Sequence, residues 1–225
     1  MVNTTNLNRE NIFRNTSTWY AKQNTNMFSS ALIRFCQQYA GNNILDLGCA
    51  IGNYCSALSK VGFKCTGVDI NESYVKIARE HGVNAHLATF PLFFDNGSFD
   101  TVIMFEVLEH VPDPDMLLIE AKRMAVKSIL ITVPNCSEFN ILNKMGLMYN
   151  HFLEEDHINF FTKEELENLL AKHFDRFKVE KKEPIVTTID LPWWLRKSIL
   201  LLYRLKIFKP RTFYRLYAVI ELKTN

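Results

Sequence analysis

The chain reads as an α/β protein built on a doubly wound, mostly parallel sheet. Three observations predict this. Short apolar runs alternate with helical patterns through most of the 225 residues, and the first two runs each end in an acid, Asp46 and Asp69. The third is the spacing Asp46-Leu47-Gly48-Cys49-Ala50-Ile51-Gly52, in which glycines let a strand turn tightly into a helix beside a nucleotide-type ligand.

Taken in order, Met27 to Tyr39 carries Phe28, Leu32, Phe35 and Cys36 at helical spacing and stops near Gly41. Strands are expected at 44–47, 63–69, 83–87, 99–105 and 127–133, with helices from Asn53 to Lys60, from Glu72 to Glu80 and near 115–125. Gly62 and Gly82 end the first two of these helices. Residues 135–160 show no clean period and hold two of the six histidines, as a loop covering a substrate would. Thr162-Lys163-Glu164-Glu165 is a capping box opening a helix with Leu166, Leu169 and Leu170. Strands at 176–181 and 214–222 close the sheet, and the insertion between them, about 185–212, is longer than a hairpin needs.

The length fits one domain over 1–225 with an N-terminal helical segment, 1–40. A composition 48% hydrophobic and 22% charged is that of a soluble globular protein. The net charge of +2 calls for no nucleic-acid or membrane partner. Its distribution is uneven: residues 190–217 hold seven Lys/Arg and one acid, a local +6, which leaves −4 for the rest. Five cysteines without a Cys-x-x-Cys pair read as reduced core thiols. The start is rich in Asn and Thr, and no apolar run approaches the length of a membrane span. A cytoplasmic location is expected, with membrane association through 191–209 as its variant.

The first motif departs from a dinucleotide site, which has G-x-G-x-x-G and no acid inside it. Asp46-Leu47-Gly48-Cys49-Ala50-Ile51-Gly52 resembles the first motif of class I S-adenosylmethionine-dependent methyltransferases, with Ala50 where that family most often has a glycine. Asn96 to Val111, read as turn, strand and post-strand motif, is similar to the same family. The likeness runs from about Ile44 to about His157, roughly half the chain. It implies a seven-stranded sheet whose last strand runs antiparallel beside the fifth, and S-adenosylmethionine as cofactor.

The resemblance implies a cofactor site lined by Asp46, Gly48, Ala50, Gly52, Asp69, Ile70, Thr89, Phe90 and Glu106. Asp46 would lie near the donor's amino-acid portion, and Asp69, 21 residues after Gly48, can accept from both ribose hydroxyls. The family's acid after the third strand is missing from His86-Leu87-Ala88-Thr89-Phe90-Pro91, which leaves adenine to Thr89, backbone groups and the Phe90 ring. Phe90 reads equally as a core or lid aromatic. Trp19 and Tyr20 either close over the donor or pack against the body.

Methyl transfer from a sulfonium needs alignment and, for a hydroxyl acceptor, removal of a proton. Glu106 follows the fourth strand, where ligands bind in open α/β sheets, and His110 is either the general base or a histidine that shapes a loop. The Asn/Asp-Pro-Pro-Tyr signature of base-directed amino methyltransferases is absent, so oxygen of a small or lipid-linked metabolite is the first acceptor expected, with carbon and nitrogen left open. Glu106, Glu109 and His110 fall at i, i+3 and i+4 and with His157 resemble the divalent-metal ligands of small-RNA 3′-terminal 2′-O-methyltransferases. No metal is the main expectation, with that RNA reading as the alternative. A further rival is a non-catalytic module that keeps the cofactor pocket.

Leu191 to Lys209 interleaves Trp193, Trp194 and leucines with Arg196, Lys197, Arg204, Lys206 and Lys209. Three readings stay open. The segment lies at a membrane surface, grips a phosphate-bearing substrate, or folds over the site and buries its leucines.

Overall fold

The computed structural model describes residues 28–137, 156–185, 192–210 and 212–222. Helix α1 (Ser30–Tyr39) precedes β1 (Asn43–Leu47), α2 (Asn53–Lys60), β2 (Lys64–Asp69), α3 (Glu72–Glu80) and β3 (Ala85–Leu87). Then follow β4 (Phe99–Phe105), a 3₁₀ turn (Leu108–His110), α4 (Pro114–Met124) and β5 (Ala125–Pro134). The described chain ends with α5 (Lys163–Ala171), β6 (Phe177–Pro184), α6 (Trp193–Arg204) and β7 (Phe213–Glu221). The strands form one seven-stranded sheet in the order β3-β2-β1-β4-β5-β7-β6. β1 to β5 pair in parallel, and β7 runs antiparallel to both β5 and β6. The expected architecture, including the reversed last strand, is what the chain adopts.

Period-two alternation builds a core on each face of the sheet. Leu45, Leu47, Val102, Met104, Ile129 and Ile131 face α4 and α5, meeting Leu118, Met124, Leu166 and Leu170. Ile44, Ile103, Phe105 and Leu130 point the other way, against Leu32 and Cys36 of α1 and Leu58 of α2. Each fully buried Leu or Ile contributes about 1.5–3 kcal/mol, which is why strands with so few charges hold both layers. All five cysteines are buried free thiols, as expected.

Some boundaries move, for visible reasons. β3 starts at Ala85 and not at 83 because the Val83 N–H is spent on the Ala78 carbonyl, closing α3, at 3.0 Å. α3 is opened by Asn71, whose side chain accepts from the Ser73 and Tyr74 N–H groups, and α5 by the full Thr162/Glu165 capping box. Trp19, Tyr20 and most of 135–160, residues 138–155, lie outside the described residues. One reading of the insertion is corrected in part: α6 half-buries Leu195 and Leu202, but Leu200 and Leu201 are 47% and 54% exposed. Among the described residues no helix is long and apolar enough to cross a membrane.

Candidate active site at the carboxyl edge of the sheet

The loop after β1 folds back over β2. Gly48 and Cys49 N–H both donate to the Val68 carbonyl at 2.9 Å, which bends the chain sharply. Gly48 and Gly52 have φ of 88° and 82°, and Ala50 also adopts a left-handed φ of 46°, a conformation that costs a non-glycine residue about 1 kcal/mol or more. The loop packs so closely that a Cβ on Gly67 would lie 2.6 Å from Cys49 Sγ. Gly67 is therefore part of the site's foundation, and its place inside a strand was the signal that sequence reading passed over.

Asp69 holds this loop. Its Oδ2 accepts from the Ala50 N–H and its Oδ1 from the Asn71 N–H, both at 2.8 Å. An ionised carboxylate has about four acceptor positions, so these bonds leave Asp69 with acceptor capacity to spare. Burial raises the Asp69 pKa, and the bonds from Asn71 and Ala50 counter that in part. Beside it Ile70 is 76% exposed, and Leu87, the register partner of Asp69 on β3, and Phe90 are also exposed apolar side chains. Thr89 is exposed between them. A carboxylate with spare acceptors flanked by exposed apolar groups has the chemistry to take a sugar hydroxyl beside a planar base.

Asp46 is the deep member, only 2% exposed. Cys65 Sγ lies 2.8 Å from Cys55 Sγ, and Cys55 Sγ donates to Asp46 Oδ2 at 3.6 Å. Burial, with the Asp69 charge adding to it, pushes the Asp46 carboxyl up to about 7, against the lowering effect of the Cys55 bond. Asp46 therefore sits under the loop as a base of support, with no more than a sliver of surface for a ligand.

Glu106 follows β4 in a left-handed conformation, φ 56°. Its N–H donates to the Thr132 carbonyl at 2.9 Å, and Thr132 Oγ1 donates to Glu106 Oε1 at 3.0 Å. Arg215 Nε lies 3.2 Å from the same oxygen, and the other side of the guanidinium pairs with Glu183, which also accepts from the Tyr217 hydroxyl at 2.6 Å. Arg215, Glu183 and Tyr217 were not foreseen. The one available signal was an arginine inside an otherwise apolar strand.

The positive φ of Glu106 breaks the helical turn expected to carry Glu106, Glu109 and His110 on one face, and that expectation is corrected. Glu109 and His110 lie on the separate 3₁₀ turn. Asn159 clamps this turn, donating from Nδ2 to the Leu108 and Val111 carbonyls at 2.9 and 2.7 Å, while Ile158 and Asn159 N–H donate to the Glu109 carbonyl. The clamp brings His157 to His110, ring centroids 4.5 Å apart. Glu109, His110 and His157 offer ligating atoms within 4.8 Å of one another, without Glu106. Glu109 is buried with no hydrogen-bond partner on either carboxylate oxygen among the described residues. Burial first, then the Glu106 charge, raises its pKa well above the carboxylate range. His110 is half-buried, its Nδ1 3.2 Å from the Asp156 carbonyl and 3.4 Å from Asp156 Oδ2.

A glycine loop at the end of β1, an acid at the end of β2 and an acid after β4 define a cofactor-binding α/β enzyme fold. The chain belongs to the methyltransferase-domain family, whose model matches residues 20–173. S-adenosylmethionine is its cofactor. A ubiquinone biosynthesis O-methyltransferase of Xanthomonas oryzae pv. oryzae is 33% identical over 93 residues, covering 38% of this chain and 39% of the relative. A counterpart from Bordetella avium is 36% identical over 90 residues, covering 35% and 36%. The chain thus spans well under half the length of these curated relatives. Among solved structures, a SAM dependent methyltransferase from Archaeoglobus fulgidus aligns with a TM-score of 0.64 at 20% identity, covering 92% of this chain and all of that one.

Proposed function

We propose that this chain transfers the methyl group of S-adenosylmethionine to a hydroxyl oxygen of a small or lipid-linked metabolite. Bound S-adenosylmethionine would supply a methyl carbon already activated on a sulfonium for transfer to the acceptor oxygen. Asp69 accepts from the ribose, the loop from Gly48 to Gly52 lies beneath the cofactor, and Ile70, Leu87 and Phe90 exclude water from its base. His110 takes the acceptor's proton.

The observation that carries the reading is the His110–Asp156 contact at the carboxyl edge of β4. With its proton on Nδ1 facing the Asp156 oxygens, the imidazole presents Nε2 as the basic nitrogen. The two O-methyltransferase relatives support oxygen as acceptor.

A second reading, a divalent cation held by Glu109, His110 and His157 for transfer to an RNA ribose, has the unpartnered Glu109 carboxyl in its favour. Against it, Glu106 stands outside the cluster, so the set of two Glu and two His is not assembled among the described residues. The test is incubation of the protein with methyl-labelled donor and cell extract separated into RNA, lipid and small-molecule fractions, with and without a chelator. Base-stable label in lipid or small molecules, as a methyl ether gives, unaffected by chelator, is the expected result. Label in RNA that disappears with chelator overturns it, and donor binding without any transfer identifies a non-catalytic module.

A further inference from the structure

Between β6 and β7 the chain leaves the sheet and builds α6. β6 runs parallel in direction to β5, so α6 departs from the carboxyl edge, where Asp69 and Glu106 also lie. The segment from Pro192 to Pro210 contains five Lys or Arg residues and no acid. Its helix ends in a self-contained cap: Lys206 takes a left-handed φ of 59°, its N–H donates to the Tyr203 carbonyl, and the Ile207 N–H reaches the Leu202 carbonyl, both at 3.0 Å. The helix is thus a built element that holds its shape through backbone bonds.

α6 has two faces. Leu195, Ile199 and Leu202, at i, i+4 and i+7, are half-buried. The opposite face is not covered by any described part of the chain. Trp193 is 70% and Trp194 58% exposed, and Leu205 and Ile207 past the helix end are 59% and 61% exposed. Trp194, Leu201 and Leu205, at i, i+7 and i+11, form one stripe. Exposed Lys197 and Arg204, at i and i+7, run alongside, and Lys197 Nζ lies 5.0 Å from the Trp193 ring centroid.

Large apolar side chains gathered on one exposed face mark a place where something docks. The charge selects the occupant. Cores of protein interfaces are depleted of lysine, whereas here the cations border the apolar stripe itself, and among the described residues no acid pairs with Lys197, Arg204 or Lys206. Tryptophan, an apolar ring with a polar edge, suits the boundary between headgroups and acyl chains, and each cation is drawn to an anionic leaflet. We propose that α6 and the turn after it dock this protein peripherally on an anionic bilayer, with Trp194, Leu201 and Leu205 entering the headgroup boundary and Lys197, Arg204 and Lys206 facing lipid phosphates. The docking does not depend on which acceptor is methylated. Because α6 departs from the carboxyl edge, it orients the site toward the membrane.

The test is sedimentation of the full chain with phosphatidylcholine vesicles and with vesicles that also contain phosphatidylglycerol. Binding to the mixed vesicles exceeds binding to phosphatidylcholine by about tenfold or more, weakens with salt, and shifts tryptophan emission to the blue. Trp194→Ala with Leu201→Ala, and separately Lys197→Glu with Arg204→Glu, each lower vesicle binding by about tenfold or more while thermal unfolding is unchanged, since these side chains are exposed. Equal binding by wild type and variants overturns the proposal. So does absence of wild-type binding, or a dimer in solution that the same variants dissociate, which would assign the face to a second copy of the chain.

Discussion

Arg215 is shared by Glu106 and Glu183, two carboxylates that the sequence places far apart: its Nε lies 3.2 Å from Glu106 Oε1, and Nη1 pairs with Glu183. β7 thereby supplies the countercharge for the acid that follows β4. Arg215→Met leaves both acids partly buried without a cation and costs about 2–3 kcal/mol. Urea denaturation checks this, and Arg215→Met combined with Glu183→Gln recovers part of the loss.

Asp69 does two jobs with one carboxylate. Asp69→Asn keeps the shape but turns an amide donor toward either the Ala50 or the Asn71 N–H, so the loop loosens and the ribose loses a charged acceptor. Donor affinity measured by calorimetry falls by about tenfold or more. Unchanged affinity removes the ribose assignment.

Asp46 links stability to pH. Its carboxyl is raised from 3.8 to about 7 in the folded protein, so between these values the native state keeps a proton that the unfolded chain has released. Cofactor-free stability therefore falls as pH rises from about 4 to about 7 and levels off above, by up to ~1.4 kcal/mol per pH unit. Asp46→Asn removes the Asp46 share of this slope, leaving those of Asp69 and Glu109, and unfolding curves across that range show the variant gaining on wild type only at the upper end.

Gly48 is constrained twice, by φ of 88° and by Val107 Cγ2, which a Cβ would approach to 2.7 Å. Gly48→Ala destabilises by about 1–3 kcal/mol and weakens donor binding. Adding Val107→Ala relieves the clash but not the backbone strain, so rescue measured by thermal unfolding is partial.

His110→Ala lowers turnover by about a hundredfold with donor affinity unchanged if the imidazole is the base. Full activity in a labelled-methyl assay removes it from that role.

The helices Asn53–Lys60 and Glu72–Glu80 and strand Phe99–Phe105 occupy the residues the sequence predicts, because periodicity, glycines and caps are local signals. The glycine loop and Asp69 were legible for the same reason. Arg215, Glu183 and Tyr217 were not, because what brings them to Glu106 is the register of β7 against β5 and β6, a long-range fact. Glu106, Glu109 and His110 misled at helical spacing because one positive φ is invisible in a string of letters. On α6, composition showed both apolar groups and charge, but only exposure decided between burial and display.

The place of β7 also sets an order of assembly. It follows β6 in the chain yet lies between β5 and β6, so β6 has no ladder partner until β7 has been made. During synthesis, which proceeds from the N-terminus, β1 to β5 with the glycine loop and Asp69 can pair first, leaving β5 as an open edge prone to wrong partners. Glu106 meanwhile waits for Arg215. The glycine loop and Asp69 are thus built before the Glu106–Arg215 pair that completes the site, and mutations that slow β7 docking will show as aggregation of a half-finished sheet before they show as lost activity.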